Sequence, residues 1–475
     1  MKKLTSILLL LTLIFSVCTF TGCNTVEEEN IEETLDSKYT EYLELLSSTD
    51  SNKDIMRYLL SWANENDIRV SYDEYSNVIM SSKATEGYEN AETNIFQCTV
   101  DLENPESSAL SMSVASYIIQ NTDNHGFIRV LFTTPENAGK LSRTYLTADN
   151  FISLDWFSKN SLLIGSAGTD YYTASRRLKF DKASYTDAYQ IVIEGLPEIS
   201  FKSSQDCPNP ITIIGDILAN AKSNGILLEL ASLNGGSSSD TYPTSFTCTI
   251  LVNQKDANNM KKRVNSAMDN FYDKYSVDPE TFTFTYSEVE APEWVISYED
   301  AARIISFIYT CPDGDYLKDD SGELIAKANL GSFHTDNIGF TAKIAAASKN
   351  SDVLSEMETV FETVCGLSEI SYSKESGDPV WDTITLEEQD YYSESDVLED
   401  TETAKYNSLV QSLMTASSDI TGKTPDIERT LEYTPCTDVA KRVTKMNIVG
   451  FGLHEDKILE STEILIKYLE NGNAE

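Results

Sequence analysis

The chain has 475 residues, 41% of them apolar, with 25 Tyr and 18 Phe, which is ample for two hydrophobic cores. Its 76 acidic against 36 basic residues leave a formal charge of −40, a field that repels a phosphate backbone and excludes nucleic acid as a partner. With three histidines in all (His125, His334 and His454), a mechanism needing several imidazoles starts at a disadvantage.

At the N-terminus, Lys2 and Lys3 precede an apolar run that ends in Phe20-Thr21-Gly22-Cys23. The run is shorter than the ~20 residues a spanning helix needs, and small residues ahead of a cysteine suit a lipoprotein signal peptidase. The expectation is a signal peptide over 1–22, lipidation of Cys23 as the mature N-terminus, and display on the extracytoplasmic side of the cell membrane. Plain secretion with Cys23 incidental is the alternative. Residues 23–38, dense in glutamate, read as a solvated acidic tether. No later segment is apolar over spanning length, so the lipid is the expected membrane contact.

Residues 52–66 place Ile55, Tyr58, Leu59, Trp62 and Ala63 at helical spacing behind a Ser51 or Asn52 cap. Strands are predicted at 68–70, 78–80, 94–100 and 127–133, with a helix around 111–119. From 188 the pattern changes. A strand at 189–193, a helix at 211–221, a turn at Asn234-Gly235-Gly236, a strand at 246–252 and a helix at 257–275 are followed by helices at 301–309 and 353–364, with an alternating strand at 340–345 between them. Past Gly377 come a helix at 404–416, a strand at 446–450 and a last helix with Ile458, Thr462, Leu465, Ile466 and Leu469 on one face. The predicted architecture is an α/β sheet domain with helices on both faces, over 39–187 and 378–475, interrupted by a smaller α+β insert over 188–377. His125 and His334 lie in turn-like polar segments and are expected to be exposed. Cys98, Cys207, Cys248, Cys311, Cys365 and Cys436 form no Cys-x-x-Cys pair or zinc-ribbon spacing; they read as buried structural thiols, with pairing open.

The run Leu60-Ser61-Trp62-Ala63-Asn64-Glu65-Asn66-Asp67-Ile68-Arg69-Val70, with Lys83-Ala84-Thr85-Glu86-Gly87-Tyr88, resembles the opening of the aminoacyl-histidine dipeptidases, which are co-catalytic zinc exopeptidases. The likeness continues through Thr133-Thr134-Pro135-Glu136-Asn137-Ala138-Gly139, Ile164-Gly165-Ser166-Ala167-Gly168, Leu233-Asn234-Gly235-Gly236 and Lys423-Thr424-Pro425-Asp426-Ile427, in family order, over nearly all of the chain after the tether. The resemblance implies a zinc-exopeptidase-like sheet domain, a lid-type insert that often mediates homodimers, two zinc ions and peptide hydrolysis.

Carried over position by position, it implies that the ligand set is dismantled. The first metal histidine falls on Thr99, and the aspartate of the same motif is kept as Asp101. The bridging carboxylate lands on Glu106, beyond a loop that is shorter here, and the general base on Glu136. The neighbouring zinc ligand falls on Asn137, a further ligand aspartate on Asp155, the last metal histidine on Phe451, and the lid histidine near Ser200. Phenylalanine offers no lone pair, and threonine and asparagine are weak neutral donors, so two zinc ions lack their ligands and Glu136 lacks an activated water. No cofactor is therefore expected.

Two functions follow as expectations. One is a non-catalytic scaffold that binds a peptide, an amino acid or a protein partner, in its old cleft or elsewhere. The other is a hydrolase with an altered metal site, in which Asp101, Glu106, Glu136 and Asp155 form an all-oxygen cluster for magnesium, manganese or calcium. His454 is a distant substitute for the ligand lost at Phe451.

Overall fold

The structure, a computed structural model, describes residues 30–205, 207–277, 280–382, 407–443 and 445–472. The predicted signal peptide and Cys23 lie outside these residues. The acidic stretch expected to be a tether is already helical from Ile31. Helix α1 (Ile31–Ser47) is capped by the Asn30 side chain, which accepts from the Glu32 amide, and Glu32 and Glu33 face the positive end of the helix dipole. Leu35, Tyr42 and Leu46 are buried, and Tyr42 Oη bonds Ser116 Oγ at 2.6 Å. Composition hid this helix because its glutamates face solvent while a sparse apolar stripe carries the packing.

Next come α2 (Asn52–Glu65), β1 (Arg69–Tyr72), β2 (Val78–Ser82), β3 (Asn94–Thr99), α3 (Pro105–Asn121), β4 (Ile128–Thr133), β5 (Asn150–Trp156) and β6 (Ser161–Ser166). Helix α3 begins six residues before the predicted helix at 111. Its Ser108, Ser111, Ser113 and Ser116 are all buried, which blurs the apolar periodicity. Ser113 Oγ returns its proton to the Ala109 carbonyl at 2.6 Å, so burial leaves it satisfied.

The insert contains β7 (Gly168–Arg177), β8 (Phe180–Lys182), β9 (Asp187–Glu194), α4 (Pro210–Ser223), β10 (Leu228–Gly235), β11 (Ser245–Val252), α5 (Ala257–Lys274), β12 (Thr283–Val289), β13 (Trp294–Ile296), α6 (Tyr298–Thr310), β14 (Gly314–Lys318), β15 (Leu324–Thr335), β16 (Gly339–Ser348), α7 (Ser351–Leu367) and β17 (Ser371–Ser376). An antiparallel sheet runs β12-β9-β11-β10-β15-β16-β7-β17, with β14 paired to β15, so the second sheet takes in β7 ahead of the boundary expected at 188. Helices α4 to α7 cover one face of this sheet through a core that includes Ile214, Phe246, Val264, Phe307, Leu330 and Phe361. Asn234 and Gly235, read as a turn, are strand residues of β10 paired with Thr247 and Phe246. The bend falls one residue later, at Gly236, whose φ of 72° and contact with the Gly331 carbonyl leave no space for a side chain.

The chain then returns through β18 (Trp381–Asp382), α8 (Ser408–Thr421), β19 (Asp426–Thr430), α9 (Pro435–Arg442), β20 (Asn447–Gly452) and α10 (Ile458–Asn471). The first sheet has the order β1-β2-β4-β3-β5-β20-β6-β18, with β19 on β6, and its central strands β4, β3, β5 and β20 are parallel. Helices α1, α2, α3, α8 and α10 pack one face, and α9 packs the other with Leu131, Phe151 and Trp381. The fold class is therefore the expected one: an α/β sheet domain with helices on both faces, interrupted by an α+β lid. Against expectation, His125 is buried at 3% exposure, with its ring Nδ1 on the Gly126 carbonyl at 2.5 Å. His334 is a strand residue of β15, exposed, its Nε2 at 2.8 Å from the Gly236 carbonyl.

Candidate functional site

In a parallel sheet, functional side chains gather beyond the carboxyl ends of the strands. Parallel register here sets Thr99 of β3 beside Thr133 of β4, and Gln97 of β3 beside Ser153 of β5. Asp155, two residues beyond Ser153, reaches the end of β3. Its Oδ1 accepts from the Thr99 amide at 2.9 Å, and its Oδ2 from the Thr99 hydroxyl at 2.6 Å. Gln97 Nε2 donates to the oxygens of Thr99 (2.8 Å) and Thr133 (3.1 Å), and Ser153 Oγ donates to Gln97 Oε1 at 2.9 Å. Gln97, Thr133 and Ser153 are all buried.

Five side chains thus close on one another where the resemblance places a metal centre. Burial raises the Asp155 carboxyl above its ordinary value; the Thr99 hydrogen bonds oppose this, and the charge of Asp101 adds to it. Thr99 is therefore the hydrogen-bond partner of Asp155 through both its amide and its hydroxyl.

The other predicted residues are not gathered around this pair. Asp101 caps the turn into α3, accepting from the Glu103 amide at 2.9 Å and the Asn104 amide side chain at 2.7 Å. Glu106, in the first turn of α3, and Glu136, in the loop after β4, are exposed. Asn137 spends both ends of its side chain within the protein: Nδ2 donates to the Tyr75 carbonyl (3.2 Å) and Thr134 Oγ1 (3.0 Å), and Oδ1 accepts from Lys140 Nζ (3.2 Å). Phe451 of β20 is buried at 4% exposure in the apolar core with Leu154, Leu162 and Ile464. His454 caps a short turn, its Nδ1 accepting from the Asp456 amide at 3.2 Å. Ser200 is exposed and pairs in a lone bridge with Thr241.

The loop carrying Glu136 is clamped from the far side. Arg442 donates to the carbonyls of Gly139 (3.0 Å) and Leu141, and Asp438 lies so close to Gly139 that any side chain there would strike it. Cys98 and Cys436 are buried, and burial first, with the Asp155 charge second, pushes both thiols up. Neither is poised as a nucleophile. Cys98, Cys248, Cys311, Cys365 and Cys436 are free thiols.

Among the described residues, no three His, Cys, Asp or Glu side chains are arranged to hold a metal ion. The donor set does not fit the two zinc ions that the resemblance implies: one carboxylate occupied by Thr99, one asparagine already satisfied, and a phenylalanine. The all-oxygen cluster of Asp101, Glu106, Glu136 and Asp155 is not assembled either.

Sequence reasoning missed Gln97, Thr133 and Ser153. Each is a buried polar residue on one of three neighbouring parallel strands, a signal that only the pairing of those strands brings together.

No family model matches the sequence, and no curated protein does. Among solved structures, an aminoacylhistidine dipeptidase from Vibrio alginolyticus matches 93% of this chain and 98% of its own, with a TM-score of 0.69 at 18% identity. A tripeptidase from Staphylococcus aureus and the aminopeptidase PepT from Bacillus cereus each match 94% of this chain and 99% of theirs, at TM-scores of 0.49 and 0.48 and identities of 11% and 12%. The first likeness shows the fold: this chain has the sheet-and-lid architecture of the aminoacylhistidine dipeptidase.

Proposed function

We propose that this chain is a binding protein on a dipeptidase-type scaffold, without peptidase activity, carried at the outer face of the membrane by a lipid on Cys23. Its ligand is a peptide, an amino acid or a protein partner. The observation that supports this reading is the Thr99–Asp155 pair, with Gln97, Thr133 and Ser153 behind it. A carboxylate that accepts two short hydrogen bonds from a neighbouring strand is a poor candidate for a shared metal, and Glu136 has no metal-bound water to deprotonate.

Elemental analysis of the purified chain, followed by dipeptide hydrolysis assays with added zinc, manganese or magnesium, tests the reading. The expected result is no stoichiometric metal and no turnover. Metal-dependent turnover that disappears in Asp155→Ala would sink it. Loss of radiolabelled fatty acid in Cys23→Ala tests the anchor independently.

A further inference from the structure

A depression of about 430 Å³ lies on the lid, between the end of α4, the chain entering β10, the β8–β13 ribbon and the start of α6. That size is ordinary for a small-molecule site. Its floor is apolar and buried, formed by Ile226, Val295, Ile296 and Ile305. Its rim is unusual. Tyr298 is 75% exposed and Leu227 54%, and Trp294, 51% exposed, stands beside them at the start of β13. Large apolar side chains left in solvent around an apolar hollow are the composition of a contact site rather than of an ordinary surface.

The charges decide what such a site accepts. Lys222, at the end of α4, lies over the Tyr298 ring at 5.4 Å, and Lys182 lies over the Trp294 ring at 5.9 Å. Lys182 has Glu293 at 3.8 Å, both exposed. Two acids also line the hollow. Glu229 is occupied, accepting from the Ser184 and Tyr185 amides at 3.0 to 3.3 Å, and Asp181 is an exposed residue of β8. Lys222 has no carboxylate partner among the described residues, in a chain with twice as many acids as bases. Burial alone pulls its ammonium below the ordinary lysine value, with no anion opposing the shift. A half-desolvated cation without a counter-charge, at the mouth of an apolar hollow, is complementary to an anion carried on an apolar group.

We propose that this hollow binds an apolar carboxylate, its hydrocarbon or aromatic part on Ile226, Leu227 and Ile296 and its carboxylate on Lys222. A peptide ending in a bulky apolar residue and a free medium-chain fatty acid share this chemistry. The inference rests on the binding half of the function proposed above but places the site on the lid, away from Thr99 and Asp155, and it holds whether or not the sheet domain hydrolyses anything.

The test is titration calorimetry, with Trp fluorescence in parallel, on the purified chain using N-acetyl-L-phenylalanine, Ala-Phe dipeptide and octanoate, with N-acetyl-L-phenylalanine amide as the uncharged control. Binding of the acids at least tenfold tighter than the amide is expected, with the preferred acid telling peptide from fatty-acid source. Lys222→Gln should abolish that preference, while Leu227→Ala should weaken acid and amide alike. Lys53→Gln, at an exposed position of α2 in the sheet domain, should leave binding unchanged. Equal binding of acid and amide, binding unaffected by Lys222→Gln, or no binding of any acid overturns the proposal. Binding lost in Thr99→Val but kept in Lys222→Gln would move the ligand to the old cleft, overturning this site while leaving the binding reading intact.

Discussion

Thr99→Val removes one hydroxyl at nearly constant shape, and the structure says what depends on it. The hydroxyl donates to Asp155 Oδ2 at 2.6 Å and accepts from Gln97 Nε2 at 2.8 Å. Gln97 keeps Thr133 as an acceptor, so its loss is partial. Asp155 keeps the Thr99 amide and the side chain of Gln97 but loses its shortest donor. A hydrogen bond to a charged group contributes about 1.5–3 kcal/mol, and a buried carboxylate left short of a donor loses most of that, so we expect destabilisation of about 2–3 kcal/mol near neutral pH. At about 2–4 °C per kcal/mol for a domain of this size, calorimetry should show the sheet-domain transition falling by roughly 4–12 °C.

The sign with pH follows from the same bond. Burial already raises the Asp155 carboxyl, and removing a donor to its charged form raises it further. A group whose folded value rises is disfavoured as the carboxylate, so the penalty is full at high pH and shrinks as pH falls through the folded value. The comparison is therefore Thr99→Val against the parent at pH 7.5 and at pH 4.5. A fall under 1 °C at pH 7.5, or an equal fall at both pH values, would refute the argument that this pair stabilises the sheet domain through a bond to the charged carboxylate.

Asp313→Asn should act in the opposite direction. Burial pushes the Asp313 carboxyl up to about 6, and the asparagine oxygen can still accept from Asn209 and the Leu330 amide. The parent should gain stability, on the order of 2 kcal/mol, as pH falls from about 6 to about 4, and the variant should lack that gain in calorimetric pH scans. Leu35→Ala should cost about 2–4 kcal/mol in urea unfolding, because Leu35 is fully buried; no loss would mean that α1 is not part of the folded body. Phe451→His should destabilise by about 3 kcal/mol without gaining zinc, since the imidazole enters an apolar core; a zinc-dependent rise in Tm would contradict the placement.

Long amphipathic elements were legible. The helix predicted at 52–66 is Asn52–Glu65, and that at 257–275 is Ala257–Lys274, because each has a single apolar face on a core. Legibility failed where burial and polarity part company. Helix α3 hides four serines in its core face, His125 sits in a polar run yet is buried with its backbone locked to Thr85, and α1 looks like a charged tether. Hydrogen bonds offset the cost of this burial, some of them local and others, as between Tyr42 and Ser116 or His125 and Thr85, with a partner far along the chain that no composition rule reports.

The site shows the same divide from the other side. The resemblance located Thr99 and Asp155 separately, one as a loss and one as a survivor, and only the fold reveals them as a single unit. A metal centre holds its carboxylates by supplying positive charge; without it, a buried aspartate is an uncompensated anion that either costs several kcal/mol or takes up a proton. Here the backbone amide and hydroxyl of Thr99 supply donors in place of cationic charge, and a histidine at that position could not offer a hydroxyl. Asn137 solves the neighbouring problem differently, since a neutral amide needs no counter-charge and bonds Tyr75 and Thr134 instead. Phe451 goes furthest, joining the core outright. These are three distinct ways in which a position that the resemblance assigns to a metal ligand is satisfied within the protein itself. Building a metal centre at these positions would accordingly need all three changed at once, with Asp155 released from Thr99 in the same step.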